Sequence, residues 1–294
     1  MAPQSRVGQS SVRTAVQRLL FPRNRPARGS LQSLLVYSAK GVVSVAATAV
    51  VFVGGFFRAR NRVRVNTFLS EVGISPPRPH PKLPTISLAD LPGANQPIVL
   101  HEPIAADGNV TLLELLVIAR IVAARQPETV VEIGTFDGRT TLNLAANTRG
   151  RVVTIDLPPQ SAKSTKLAID PSDAQYIEKP VSGARFLDRP ERDRITQVFG
   201  DSATFDFSPW KGKVDLVFID GAHSPEYVLS DTEVALRLLR PTGGVILWHD
   251  YDAAFDGVTV ALHEIADRGT PLRRIEGTSL AIAFVNANGV AADR

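Results

Sequence analysis

From residue 100 onward, apolar residues fall into short unbroken runs separated by stretches with helical spacing. Thr129–Ile133, Arg151–Asp156, Ile195–Phe199, Val214–Asp220 and Gly244–His249 are compact and mostly apolar, as expected for strands buried on both faces. Arg139–Ala146 and Glu226–Arg240 lie between them and are predicted helices. The second has apolar residues at 227/228, 234/235 and 238/239 and then meets Pro241 and Gly243-Gly244, which stop it. Upstream, Thr111-Leu-Leu-Glu114 has capping-box spacing and opens a strongly apolar helix to about Arg125. Downstream, Pro271–Ile275 and Ser279–Val285 flank Glu276-Gly-Thr278, a turn that would join two antiparallel strands. Alternating strands and helices with parallel pairing predict an α/β, doubly wound, mostly parallel seven-stranded sheet over residues 101–290.

The first hundred residues follow a different pattern. Residues 1–30 are polar, rich in Arg and punctuated by Pro22 and Pro26, which predicts a flexible basic arm. Gly41–Phe57 is a run of seventeen uncharged residues, extended upstream by Leu34–Tyr37 and interrupted by Lys40. A spanning helix needs about 20 apolar residues, about 17 at the lower limit. Residues 31–57 are therefore expected to form an N-terminal hydrophobic membrane-anchor helix, with an interfacial or re-entrant anchor, a cleaved targeting segment of organelle-transit type or a buried helix as alternatives. Residues 58–100 read as a basic, proline-rich linker, with five prolines between Pro76 and Pro84.

Charge sharpens this division. Residues 1–64 hold eleven basic and no acidic side chains, so the remainder carries 22 basic and 29 acidic ones, a net of −7. Attraction to anionic lipid is confined to the N-terminal segment, and a domain at −7 is not expected to take DNA or RNA as substrate. The chain has no cysteine, which excludes disulfides, thiolate metal sites and a cysteine nucleophile.

In a doubly wound sheet the ligand lies beyond the carboxyl ends of the strands. In Val130-Val-Glu-Ile-Gly-Thr-Phe-Asp-Gly-Arg-Thr-Thr141 a strand enters a loop containing Gly134 and Gly138 and then a helix, so backbone amides can approach a ligand at a helix N-terminus. Thr135-Phe-Asp137 separates the two glycines, so the G-x-G-x-x-G of a dinucleotide site is absent. Glu132 would repel a pyrophosphate but can accept from an amino group. Asp156 ends the next strand, 22 residues after Gly134, where an acid typically accepts ribose hydroxyls. Gly200-Asp201-Ser202, Phe218-Ile-Asp220-Gly-Ala-His223 and Trp248-His249-Asp250-Tyr251 complete the series of strand ends.

Glu132-Ile-Gly-Thr-Phe-Asp-Gly138, Gly200-Asp-Ser202, Phe218-Ile-Asp-Gly-Ala-His223 and Pro241-Thr-Gly-Gly244 with Trp248-His-Asp-Tyr251 resemble the motifs of class I S-adenosylmethionine (SAM)-dependent methyltransferases. The likeness is nearest to macrocin-type sugar O-methyltransferases, more distantly to catechol O-methyltransferase, and spans roughly residues 110–287. It implies a Rossmann-like methyltransferase fold with SAM as cofactor. Glu132, Thr135 and the amides around Gly134–Gly138 would hold the methionine part, Asp156 the ribose, and Asp201 with Ser202 the adenine. Asp220, His249 and Asp250 match a divalent-metal site, for Mg²⁺ or Mn²⁺. The relatives usually have Asp-Asp or Asp-Asn where His249-Asp250 stands, and an imidazole shifts preference away from Mg²⁺. A second acid that some relatives carry is Ala222 here, which leaves His223 as the substitute base beside His249 and Asp220.

The expected reaction is O-methylation of a small-molecule, sugar or glycan hydroxyl, with the protein membrane-associated and its catalytic domain in the cytoplasm. A relative of cephalosporin hydroxylase and a non-enzymatic, membrane-tethered SAM-binding protein are the alternatives. Leu157–Arg194, with five prolines, is expected to be a partly helical flap over the acceptor site. The sequence does not specify an oligomeric state.

Overall fold

The computed structural model describes residues 79–286 except 94, 95 and 107, and three positions before them, Ser38, Lys40 and Ala49. The chain divides into a unit over residues 1–77 and a second from Arg78 onward. The expected basic arm (1–30), anchor helix (31–57) and the first part of the linker lie outside the described residues, the three single positions apart. Among the described residues no helix is long and apolar enough to cross a membrane.

The second unit is built on eight strands: β1 (Thr85–Ile86), β2 (Thr129–Ile133), β3 (Arg151–Asp156), β4 (Ile195–Phe199), β5 (Leu216–Ile219), β6 (Gly243–Trp248), β7 (Arg273–Ile275) and β8 (Ala281–Asn286). Their spatial order is β1-β7-β8-β6-β5-β2-β3-β4. β8 runs antiparallel to β6 and β7, and the other pairs are parallel. The seven expected strands are all present, with ends shifted by up to two residues. The eighth, β1, corrects the count. It comes from the segment read as linker, where Leu83, Ile86 and Leu91 are buried. Two residues are too short for periodicity to reveal, and pairing with β7 is what holds them extended.

Five helices accompany the sheet: α1 (Leu112–Arg125), α2 (Arg139–Ala146), α3 (Ala174–Ile177), α4 (Pro225–Leu238) and α5 (Asp256–Asp267). The capping box at Thr111 and Glu114 forms as expected. Helix α5 was not anticipated. Its apolar positions Val258, Ala261, Leu262 and Ile265 repeat at helical spacing and are buried beside α4.

Successive strand residues feed opposite faces of the sheet, as the period of two requires. Val130, Val152, Leu216, Phe218, Val245 and Leu247 pack with α1 and α2. Val131, Val153, Val217, Ile219, Ile246 and Trp248 pack with α4 and α5. Both faces are covered, which is why the central strands read as continuous apolar runs rather than alternating ones. The carboxyl ends of β2 to β6 are left together along one edge.

Candidate active site

Strand β2 delivers the chain into the loop 134–138 and then α2. Gly134 has φ +103°, and a Cβ there would lie 2.0 Å from the Asp220 carbonyl oxygen. No other residue fits, so the loop runs flush against the end of β5. Phe136 and Asp250 also have positive φ, 48° and 61°. Such conformations are costly for residues with a Cβ and persist where the surroundings impose them.

A cavity of about 660 Å³, including its open mouth, lies beyond β2, β3 and β4. Gly134, Asp156, Asp201, Ser202 and Asp220 line one side, and Ile169, Tyr176 and Lys179 from the segment 157–194 line the other. That segment is partly helical, as expected, with α3 and three short 3₁₀ turns. It walls the cavity beside the strand ends and is fastened there. Lys179 Nζ sits 2.8 Å from Asp156 Oδ2, and the Ser182 hydroxyl donates to the same oxygen. Gly183 N donates to Phe136 O and Arg185 N to Asp137 O.

The sequence-predicted cofactor residues divide into two groups. Gly134, Asp156, Asp201 and Ser202 face the cavity. Glu132, Thr135 and Gly138 are not among its lining residues. Glu132 is paired in register with Thr154, on the face of the sheet turned toward α2. Its Oε2 accepts from Thr154 (2.6 Å) and from Thr141, and Thr135 Oγ1 shares a hydrogen with Thr154 Oγ1 at 2.7 Å. Glu132 Oε1 has no hydrogen-bond partner among the described residues. Burial pushes this carboxyl up to about 8, against the pull of the two threonine hydroxyls. Gly138 caps α2, and the space a Cβ would take is filled by Phe186 of the segment 157–194.

Asp201 is engaged by three donors: Ala203 N (2.9 Å), Tyr227 OH (2.8 Å) and Lys166 N (2.7 Å). Behind it on α4, Asp231 is fully buried, and among the described residues neither carboxyl oxygen has a partner within good hydrogen-bond geometry. Burial raises it to about 7, although the Ser202 hydroxyl nearby pulls the other way.

A second, smaller hollow of about 230 Å³ adjoins the first, lined by Asp220, His223, His249 and Asp250 among others. Asp220, Gly221 and Ala222 belong to both. Here the structure brings together all the expected catalytic groups. His249 Nδ1 is 2.9 Å from Asp220 Oδ1 and 3.2 Å from Asp250 Oδ2. Its Nε2 is 3.3 Å from Glu114 Oε2. His223 Nε2 is 2.8 Å from the same Asp250 oxygen, and its Nδ1 contacts Asp173 Oδ1. Two imidazoles thus stand among four carboxylates. Burial disfavours the charged imidazole of His223, but Asp173 and Asp250 outweigh it and raise the ring to about 10. Burial opposes the charge on His249 too, and Asp250 and Asp220 hold its pKa well above the usual value. Asp250 and Glu114 are likewise buried, yet their imidazole partners, with Ser279 for Glu114, keep them well below the usual carboxylate range.

Glu114 and Asp173 were not foreseen as part of the site. Glu114 was legible only as the capping-box acid, and its second role has no local signal. Asp173 lies in the segment 157–194 with nothing in its neighbourhood to mark it.

Residues 131–251, from β2 to just past β6, match the family model of a methyltransferase domain. These residues carry a methyltransferase domain. Among solved structures, the methyltransferase domain is similar to PaMTH1 of Podospora anserina with S-adenosylhomocysteine (SAH) bound, at 15% identity and TM-score 0.44, over 64% of this chain and 81% of that one. It is also similar to the O-methyltransferase TomG of Streptomyces achromogenes in complex with SAM (22%, TM-score 0.41, 61% and 82%). A third is the O-methyltransferase of Bacillus cereus in complex with SAH (21%, TM-score 0.41, 60% and 83%). No curated protein matches the chain.

Proposed function

We propose that the enzyme methylates a hydroxyl of a small molecule, sugar or glycan, bound at the cluster of His223, His249 and Asp220. The observation that carries this is the shared wall: Asp220, Gly221 and Ala222 separate the cofactor cavity from the histidine–carboxylate cluster. A hydroxyl held at the cluster would stand next to whatever fills the cavity.

The residues fit SAM. The cavity has room for a nucleoside, Asp156 stands at the ribose-accepting strand end, and the missing Cβ of Gly134 keeps the floor open. When bound, SAM supplies a methyl group on a sulfonium, an electrophile that needs alignment more than activation. The chain then has two tasks: exclude water, which the segment 157–194 does by walling the cavity, and take the hydroxyl proton.

The residues also fit a divalent metal. One ligand atom from each of Asp220, His249 and Asp250 can be chosen so that all lie within 4.8 Å of one another. The His249 nitrogen is 2.9 and 3.2 Å from the two carboxylate oxygens, close to the edge of about 3 Å of an octahedron with bonds of about 2.1 Å. Glu114 opposite Nε2 is the outer carboxylate that typically orients a ligating histidine. Bound there, the metal would lower the pKa of an acceptor hydroxyl. We also propose that residues 31–64 attach the enzyme to a membrane with its domain in the cytosol, on the strength of the uncharged run and its arginine flanks.

Isothermal calorimetry with SAM and SAH, followed by a product screen with methyl-labelled SAM against glycans, lipids and phenols, tests the central reading. No heat at millimolar cofactor would overturn it.

A further inference from the structure

The geometry points to Asp173 as the positioning residue of His223, carried to the reaction centre by the same segment that walls the cofactor cavity. This deepens the function proposed above and rests on it: His223 is one of the groups that would face the acceptor hydroxyl.

Both carboxyl oxygens of Asp173 are committed to one residue. Oδ1 contacts the His223 ring at Nδ1, and Oδ2 accepts from the His223 main-chain N–H at 3.0 Å. The pair is buried, with side-chain exposures of 5% for Asp173 and 12% for His223. Tyr176 and Phe255 flank the ring, with centroids 6.1 and 4.6 Å away. A carboxylate on Nδ1 fixes the ring's orientation and keeps hydrogen on that nitrogen. Nε2 is then the atom turned toward Asp250 and the cluster. Without Asp173, the ring N–H and the main-chain N–H would both be left buried without this partner, which favours a different ring orientation.

The same few residues reach the cofactor side. Asp173 immediately precedes α3, whose Tyr176 and Ile177 line the cavity. Lys179, two residues on, pairs with Asp156. Residues 173–182 therefore grip the domain at two points, at Asp156 beside the cofactor cavity and at His223 in the adjoining hollow. Cavity closure and His223 orientation are joined through one short stretch of backbone.

The test uses the full chain, SAH as cofactor probe, and ¹⁵N spectra of the five histidines, with His223 assigned by H223Q. Asn at 173 offers one acceptor and one donor where two acceptors are needed, so D173N keeps only one of the two contacts. The His223 ring resonances should leave their wild-type positions in D173N and return toward them in D173E. Because Asp173 also lines the cavity, affinity for SAH should fall about threefold or more in D173N and recover in D173E, while amide exchange over 174–182 rises about tenfold or more. H223Q should raise exchange over 174–182 in the same way, and the double variant should add little further, since both lose one interaction. His223 resonances unmoved in D173N would overturn the inference. So would a loss of SAH affinity that tracks thermal stability and is not restored by D173E. A wild-type protein that fails to bind SAH would count against the proposed function instead, and the resonance comparison would still decide the role of Asp173.

Discussion

Glu114 Oε2 lies 3.3 Å from His249 Nε2 across 135 residues of sequence, and the same oxygen accepts from Thr111 N at 2.7 Å in the capping box of α1. One carboxylate thus closes a helix and orients an imidazole. Glu114→Gln keeps the side-chain length and much of the cap but loses the charge facing His249. If His249 ligates a metal, this variant should bind Mn²⁺ about 10- to 100-fold more weakly, the usual effect of removing an outer carboxylate. Titration calorimetry with Mn²⁺ alone checks it, and unchanged affinity would show that Glu114 serves the helix only.

The ligand set makes a separate prediction. Asp250→Ala should abolish Mn²⁺ binding while leaving SAH affinity nearly intact, because Asp250 does not line the cofactor cavity. His249→Asp, which supplies a third oxygen donor, should shift preference toward Mg²⁺. Competition between the two ions on wild type and variant reads this directly.

Asp156 accepts from Ser182 and pairs with Lys179 on one oxygen. Asp156→Ala should remove charge-assisted bonds worth about 1.5–3 kcal/mol, weakening SAM about 10- to 100-fold. It should also loosen residues 179–182, seen as faster amide exchange there. Calorimetry and exchange on the same variant separate the two effects.

Asp231 predicts a pH dependence of stability. Its folded pKa of about 7 lies above the ordinary 3.8, so between those values the folded state holds a proton that the unfolded state has lost. Its contribution is fully present below pH 3.8 and is lost as pH rises to about 7. The loss is at most about 4 kcal/mol, from a shift of roughly three units. Asp231→Asn removes the ionisable group and should flatten this part of the profile. Urea unfolding of both proteins across that range measures it, and parallel profiles would refute it.

Membrane attachment is checked by fractionation. Full-length protein should sediment with membranes and need detergent for release, whereas a chain lacking residues 1–64, net −7, should stay in the supernatant as a folded protein. Full-length protein in the supernatant without detergent would dispose of the anchor.

Local pattern was enough to determine the central strands, α1, α2, α4 and the order of acids at the strand ends. A strand buried on both faces must be apolar throughout, and a cap or a glycine stop acts within a few residues. Gly134, Asp156, Asp201, Asp220, His249 and Asp250 were therefore legible where they stand. Only the tertiary structure decided which of these side chains meet. Glu132 turns toward Thr141 and Thr154 rather than into the cavity, because the pleat points it to the face covered by α2. Asp173 reaches His223 across 50 residues, and β1 exists because β7 offers it an edge. Such contacts depend on how the chain returns to the sheet, and neither the spacing nor the character of nearby residues encodes that return.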